Sequence, residues 1–229
     1  MQFHSQIRQI FVLLAAIVLM PFVSIAAAKS KAKVSDQTQA ENILKKYNQK
    51  SGVQIKLEML TEKKALGTKT ADKGVMTHQT GKLNLSLEGE KKSEMIFDGK
   101  KAYLISYPDQ ELDPDGKRKV ILLKVNDKNQ LGLLSNLFGN PKKFFANFKT
   151  KTVSVDNDIL TLVLEDKAKT LKPMTLVFSK KDQALQKMSY LDDVGSEIQI
   201  NFEKPNYTTE ISSKLFKYNA LKSDEVVSQ

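Results

Sequence analysis

Apolar positions follow three periods along the chain, and each period predicts a different element. From Ile10 to Met20 they are continuous, after a polar stretch with Arg8 as its cation; Pro21 breaks the run, and Ala26-Ala27-Ala28 supplies small residues before Lys29. This order predicts a secretory leader over residues 1–28, cleaved near Ala28. The competing reading is an uncleaved anchor, because Ile10 to Ala28 is almost long enough to span a bilayer. Beyond a short basic spacer, Lys29 to Lys33, the period becomes helical. Ser35 or Asp36 can cap a helix with Ile43, Leu44 and Tyr47 on one stripe, and Gly52 ends it.

The period then drops to two, the spacing of half-buried strands. Val53, Ile55, Leu57 and Met59 alternate with Gln54, Lys56 and Glu58; Leu83, Leu85 and Leu87 alternate with Asn84 and Ser86; Tyr103, Ile105 and Tyr107 flank Leu104 and Ser106. The pattern returns at Leu160, Leu162 and Leu164, at Met174, Leu176 and Phe178, at Met188 and Tyr190, and at Ile198, Ile200 and Phe202. Turn residues part the runs: Gly89, Asp98-Gly99, Asp113-Pro114-Asp115-Gly116 and Asp193-Val194-Gly195. Short strands joined in this way predict a mainly β antiparallel meander, a sandwich or barrel, in one domain over residues 29–229.

One stretch departs from the alternation. Asp127 to Phe138 spaces Leu131, Leu134, Leu137 and Phe138 as a helix that Gly139 can close, and Pro141 starts a second turn bearing Phe144, Phe145 and Phe148. So much aromatic surface in a short insertion needs a concave receiver. The insertion is either a plug that completes the core or a lid over a cavity.

The reactive inventory is small. Cysteine is absent, which removes disulfides, thiolate ligands and the cysteine of an acyl anchor. Of the two histidines, His4 falls in the leader; His78, near a strand end, reads as an ordinary polar or turn residue, and any histidine-based catalysis or metal site would rest on it alone. Asp113 with Asp115, Asp156 with Asp158 and Asp192 with Asp193 lie in predicted turns, where Asp bonds the local backbone. The expectation is therefore a binding protein with no catalytic residue, metal or cofactor. The net charge of +10, reduced to +9 when Arg8 leaves with the leader, favours anionic partners. Scattered lysines without an RNA-binding motif argue against nucleic acid. An anionic membrane surface, an acidic protein and a merely solvated basic surface all stay open.

The order of elements, leader, helix, antiparallel strands, central apolar helical insertion and more strands, resembles the LolA family of periplasmic carriers that take lipoproteins to the outer membrane. Gly74-Val75-Met76 followed by Leu83 resembles the family's G-x-L strand, Ile96-Phe97-Asp98-Gly99-Lys100 its D-G-K hairpin, Tyr103 to Pro108 the next strand, and Leu185 to Phe202 its last hairpin. The resemblance implies an incompletely closed antiparallel half-barrel under a helical lid, with an apolar cavity for acyl chains. It further implies a monomer that takes an acylated lipoprotein or another lipid from an inner-membrane donor to an outer-membrane acceptor. Related half-barrels serve as protein-interaction or sensor modules, which is the alternative function. The family's Arg-Pro pair, whose arginine ties the strand to the lid, is missing: Thr80 stands at that position.

On this reading the cavity wall includes Leu57, Leu83, Leu85, Phe97, Tyr103, Ile105 and Leu176. Met59, Met76, Met95, Met174 and Met188 would make it adaptable, since unbranched thioether side chains repack around irregular ligands. Leu134, Phe138, Phe144 and Phe145 belong to the lid. Core filling remains the plainer role for each methionine. We expect N-terminal sequencing of the periplasmic protein to begin at Lys29; Met1 on a membrane-bound product would contradict the leader.

Overall fold

The structure, a computed structural model, describes residues 34–89, 91–109, 111–123, 130–156, 158–192, 194–207 and 210–228. The expected leader, residues 1–28, lies outside the described residues. Among them no helix is long and apolar enough to cross a membrane. Helix α1 spans Val34–Lys45 and places Asp36 in its first turn, where a carboxylate favours the helix dipole; the helix thus begins before the predicted cap. Ala40, Ile43, Leu44 and Tyr47 are its buried stripe.

Six strands follow: β1 (Val53–Lys63), β2 (Thr68–Gln79), β3 (Lys82–Glu88), β4 (Ser93–Phe97), β5 (Ala102–Ser106) and β6 (Lys119–Leu123). Helices α2 (Gln130–Gly139) and α3 (Pro141–Ala146) precede β7 (Phe148–Asp156), β8 (Ile159–Asp166), β9 (Met174–Ser179), β10 (Ala184–Leu191) and β11 (Glu197–Phe202); β12 (Glu225–Ser228) is last. All twelve form one sheet in the order β12-β6-β5-β4-β3-β2-β1-β11-β10-β9-β8-β7. The predicted meander is therefore two antiparallel meanders joined where β11 pairs with β1, and β12 adds to β6 in parallel. The outermost strands, β12 and β7, do not pair with each other, so the sheet is open, an unclosed half-barrel. Phe148, expected in the helical insertion, instead begins β7.

This topology forces the position of the insertion. Because β6 and β7 lie towards opposite edges, the chain between them must cross the sheet, and α2 and α3 lie in that crossing. They pack on the inner face, in one core with α1 and the strands. Gly74 on β2 has no room for a side chain: a Cβ there would collide with the Ser86 carbonyl and the Leu87 side chain.

The outer face of β4 to β6 carries a second, smaller core of Ile96, Ile105 and Val120, packed with Tyr103, Tyr107 and Tyr218. The C-terminal segment is the cover. Its 3-10 turn, Ser213–Phe216, buries Phe216, and Asn84 Nδ2 donates to the Leu215 carbonyl at 2.9 Å. Arg118 then grips Asp224 through Nε (2.8 Å) and Nη2 (2.7 Å), Tyr218 donates to the same carboxylate at 2.6 Å, and Glu225 N–H donates to the Arg118 carbonyl to start β12.

Arg118 and Tyr218 hold the Asp224 carboxyl far below its ordinary value of 3.8, and only 1% of that side chain is exposed. A depressed folded value means that the clamp's contribution is complete above pH 3.8 and fades as the pH falls below it. We expect Asp224→Asn to cost about 2 kcal/mol at pH 7, less than a fully buried broken pair because Arg118 can still reach water. In denaturant unfolding the gap between wild type and variant should shrink below pH 3.8; a pH-independent gap would contradict the clamp.

Candidate functional site

Cross-strand register assembles the inner wall row by row. Ile55, Met76, Leu85 and Met95 are successive partners across β1 to β4, and Val53, His78, Leu83 and Phe97 form the adjacent row. On the other half, Leu162, Leu176, Met188, Ile200 and Met59 run from β8 to β1. Leu57 and Met174 belong to the same core. The expected wall residues thus come together on one face, with two exceptions. Tyr103 and Ile105 point to the outer face, into the small core under the C-terminal segment. Alternation in β5 allowed either face, because its neighbours carry apolar residues on both.

The aromatic side chains of the insertion are buried, while Asn140, Lys142, Lys143 and Ala146 stay exposed. Leu134, Phe138, Phe144 and Phe145 are each at most 2% exposed. Phe138 packs edge-on against Tyr47 (5.3 Å between centroids) and Phe202 (5.9 Å); Phe144 meets Phe145 at 5.4 Å and Phe148 at 4.8 Å. Asn140 accepts from Lys143 N–H and Pro141 occupies the first turn, which starts α3 directly after α2. Polar ties fasten the insertion at its surface: Asn48 Nδ2 donates to the Gly139 carbonyl at 2.8 Å, and Lys167 Nζ donates to the Ala146 carbonyl at 2.6 Å. A groove of about 260 Å³ runs between the insertion and the loop after β8, floored by Leu133, Phe144, Phe148 and Leu171. Thr80 is exposed and donates to the Gln49 carbonyl at 3.3 Å, so it ties β2 to the loop after α1.

His78, read as an ordinary polar or turn residue near a strand end, lies in the strand and not in the turn. Its inward place on β2, two residues after Met76, buries it to 1% exposure. Nδ1 lies 3.2 Å from the Tyr47 carbonyl, which can only accept, so that nitrogen carries the hydrogen; the ring leans on Phe138 at 6.3 Å. Nε2 has no partner. Burial lowers the imidazole's pKa, opposed by the bond to Tyr47. Tyr47 Oη accepts from Leu185 N–H at 2.9 Å, where β10 shifts register against β9, and burial raises its pKa. The parity of Met76 and His78 was the signal that could have found this residue.

Asp98, Asp166 and Asp192 each accept from nearby backbone N–H groups in their turns. Among the described residues no three of His, Asp or Glu gather closely enough to hold a metal. What the geometry offers is an apolar wall packed under a helical insertion that adds no strand to the sheet.

That architecture has a family. The model of the outer membrane lipoprotein carrier protein LolA matches residues 60–219, and the chain belongs to this family. No curated protein matches it by sequence. Solved structures with a similar course include a LolA superfamily protein from Nitrosomonas europaea (11% identity, TM-score 0.40, 80% of this chain and 96% of that one). A DUF1329 family protein from Desulfovibrio piger gives 10% identity and TM-score 0.43, with coverages of 80% and 96%. The MucA/MucB complex of Pseudomonas aeruginosa is similar at 11% identity and TM-score 0.43, over 80% of this chain and 61% of that chain.

Since its folded pKa lies below the ordinary 6.5, His78 resists a proton that the unfolded chain accepts. Stability should be complete above pH 6.5 and fall on acidification below it, by at most about 1.4 kcal/mol per pH unit. We expect His78→Gln, which stays neutral, to flatten this slope in denaturant titrations between pH 7.5 and 5.5; an unchanged slope would assign it to other groups.

Proposed function

We propose that the protein is a periplasmic carrier that shields the acyl chains of a lipoprotein, or of another lipid, against the inner wall and delivers them towards the outer membrane. The observation that carries this reading is the arrangement of wall and cover. The wall is continuous and apolar, whereas its cover is an insertion that supplies no strand to the sheet. The insertion can leave the wall without breaking a ladder.

The energetics support exchange of cover for ligand. Lifting Phe138, Phe144 and Phe145 exposes wall and rings together, at roughly 1.5–3 kcal/mol for each side chain. An acyl chain returns about 0.8 kcal/mol for each CH₂ it removes from water, so a long chain offsets the opening. Family membership supports lipoprotein as the cargo. Donor and acceptor would be membrane partners on either side of the periplasm, and the protein would act as a monomer.

Pinning the cover tests this. The natural absence of cysteine makes an Asn48→Cys, Asn140→Cys pair specific, two exposed positions beside the Asn48–Gly139 contact that a short thiol-reactive cross-linker can join. We expect the uncross-linked pair to bind a fluorescent acyl probe and the cross-linked protein to lose at least tenfold in affinity. Equal binding by both forms would overturn the lid. Wild type that neither binds probe nor retains extractable lipid would overturn the carrier, in favour of a protein-interaction module.

A further inference from the structure

His78, a basic residue only 1% exposed, stands in the apolar row of Val53, Leu83 and Phe97 with one nitrogen unpartnered. A satisfied core histidine would use both ring nitrogens. Here Nδ1–H is committed to Tyr47, which leaves Nε2 as an acceptor in need of a donor. A Cβ built on Gly139 would come to 3.7 Å from Nε2, so this nitrogen faces the joint between α2 and α3. Tyr207, whose ring lies 6.3 Å from Tyr47, contributes a second buried polar atom without a partner, its hydroxyl, to the same aromatic group.

We propose that His78 reads the head of the ligand, its Nε2 accepting a hydrogen bond from an N–H or O–H donor next to the acyl chain. This rests on the carrier reading, and it adds a selection rule to it. When the insertion lifts, Phe138 and Gly139 uncover Nε2. His78 lies one residue inside the Gln79 and Lys82 pair that closes the β2–β3 hairpin, whereas Met76, Leu85 and Leu57 continue the wall inwards. A head at the rim can therefore meet His78 while its chain lies along the apolar rows. The covered state leaves an acceptor unsatisfied and a donor-bearing ligand satisfies it, so such a ligand favours the open state by more than its chain alone. The lowered imidazole pKa keeps the lone pair available at neutral pH.

The test uses three probes of one chain length: a monoacylglycerol with O–H donors, an N-acylglycine methyl ester with an amide N–H, and a fatty acid methyl ester with neither. Wild type should bind one or both donor probes about tenfold more tightly than the methyl ester, the worth of one well-made buried hydrogen bond. The arm that gains identifies the donor. In His78→Phe the three probes should bind within about twofold of one another. Should that variant fail to fold, ¹⁵N chemical shifts of the wild-type imidazole decide: a donor probe must move Nε2, and the methyl ester must not. Equal binding of the three probes by wild type, or a preference that survives in His78→Phe, overturns the inference and leaves the carrier standing; no binding of any probe overturns both.

Discussion

An open sheet with one apolar face has to keep that face out of water by some means other than closing on itself. The inner rows from β8 through β1 to β4 contribute far more apolar surface than the solvated rim can hide. The route from β6 to β7 supplies the cover, because a chain joining strands near opposite edges must pass over one face. The aromatic density of α2 and α3 follows from this. Short helices can cover a broad concave wall only with large side chains, and Phe138, Phe144 and Phe145 do so with almost no remaining exposure.

The outer face of β4 to β6 meets the same constraint by a different means. Ile96, Ile105 and Val120 would lie bare on it without the C-terminal segment, which is fastened by a charged clamp on Arg118 as well as by apolar contact. Two covers of unlike character result. The inner one is an aromatic packing with neutral or single-cation ties at its margin; the outer one is locked by a bidentate ion pair whose carboxylate is almost fully enclosed. Of the two, the inner cover has the weaker polar hold and faces the larger apolar surface, as the proposed opening requires.

How much of this could be read in the sequence depended on whether a strand has one apolar face or two. In β11, Ile198, Ile200 and Phe202 alternate strictly with Glu197, Gln199 and Asn201, so period and orientation follow from the pattern; in β8 and β9 the larger leucines, methionine and phenylalanine keep the period although Val163 and Val177 interrupt the polar positions. In β5 the alternatives were Tyr103 with Ile105 or Leu104 with Ala102, and only the distant segment around Tyr218, 4.7 Å from Tyr103, makes the first pair outward. The strand β7 was hidden because Phe148 continues the aromatic run of α3 and the lysines and threonines after it carry little apolar period. The four-residue β12 is too short to declare itself. The burial of His78 was hidden for a related reason: a polar residue near a strand end can read as an ordinary surface or turn residue unless the parity of Met76 is followed to it.

The residue at position 80 bears on how tightly the inner cover is held. The family resemblance places an arginine there, able to make several charge-assisted bonds to the lid, and this chain has a threonine whose single hydroxyl reaches the Gln49 carbonyl instead. Its neutral tie from Asn48 to Gly139 is solvent-exposed and of the kind worth about 0.5–1.5 kcal/mol. The covered state here therefore depends more on aromatic packing than on polar fastening, and packing is the part that an acyl chain can replace. Under the proposed carrier function, the useful quantity is the difference between ligand packing and lid packing on the same wall. Exchanging one apolar surface for another keeps that difference small, so the polar contact proposed for His78 would be enough to decide which ligand is held.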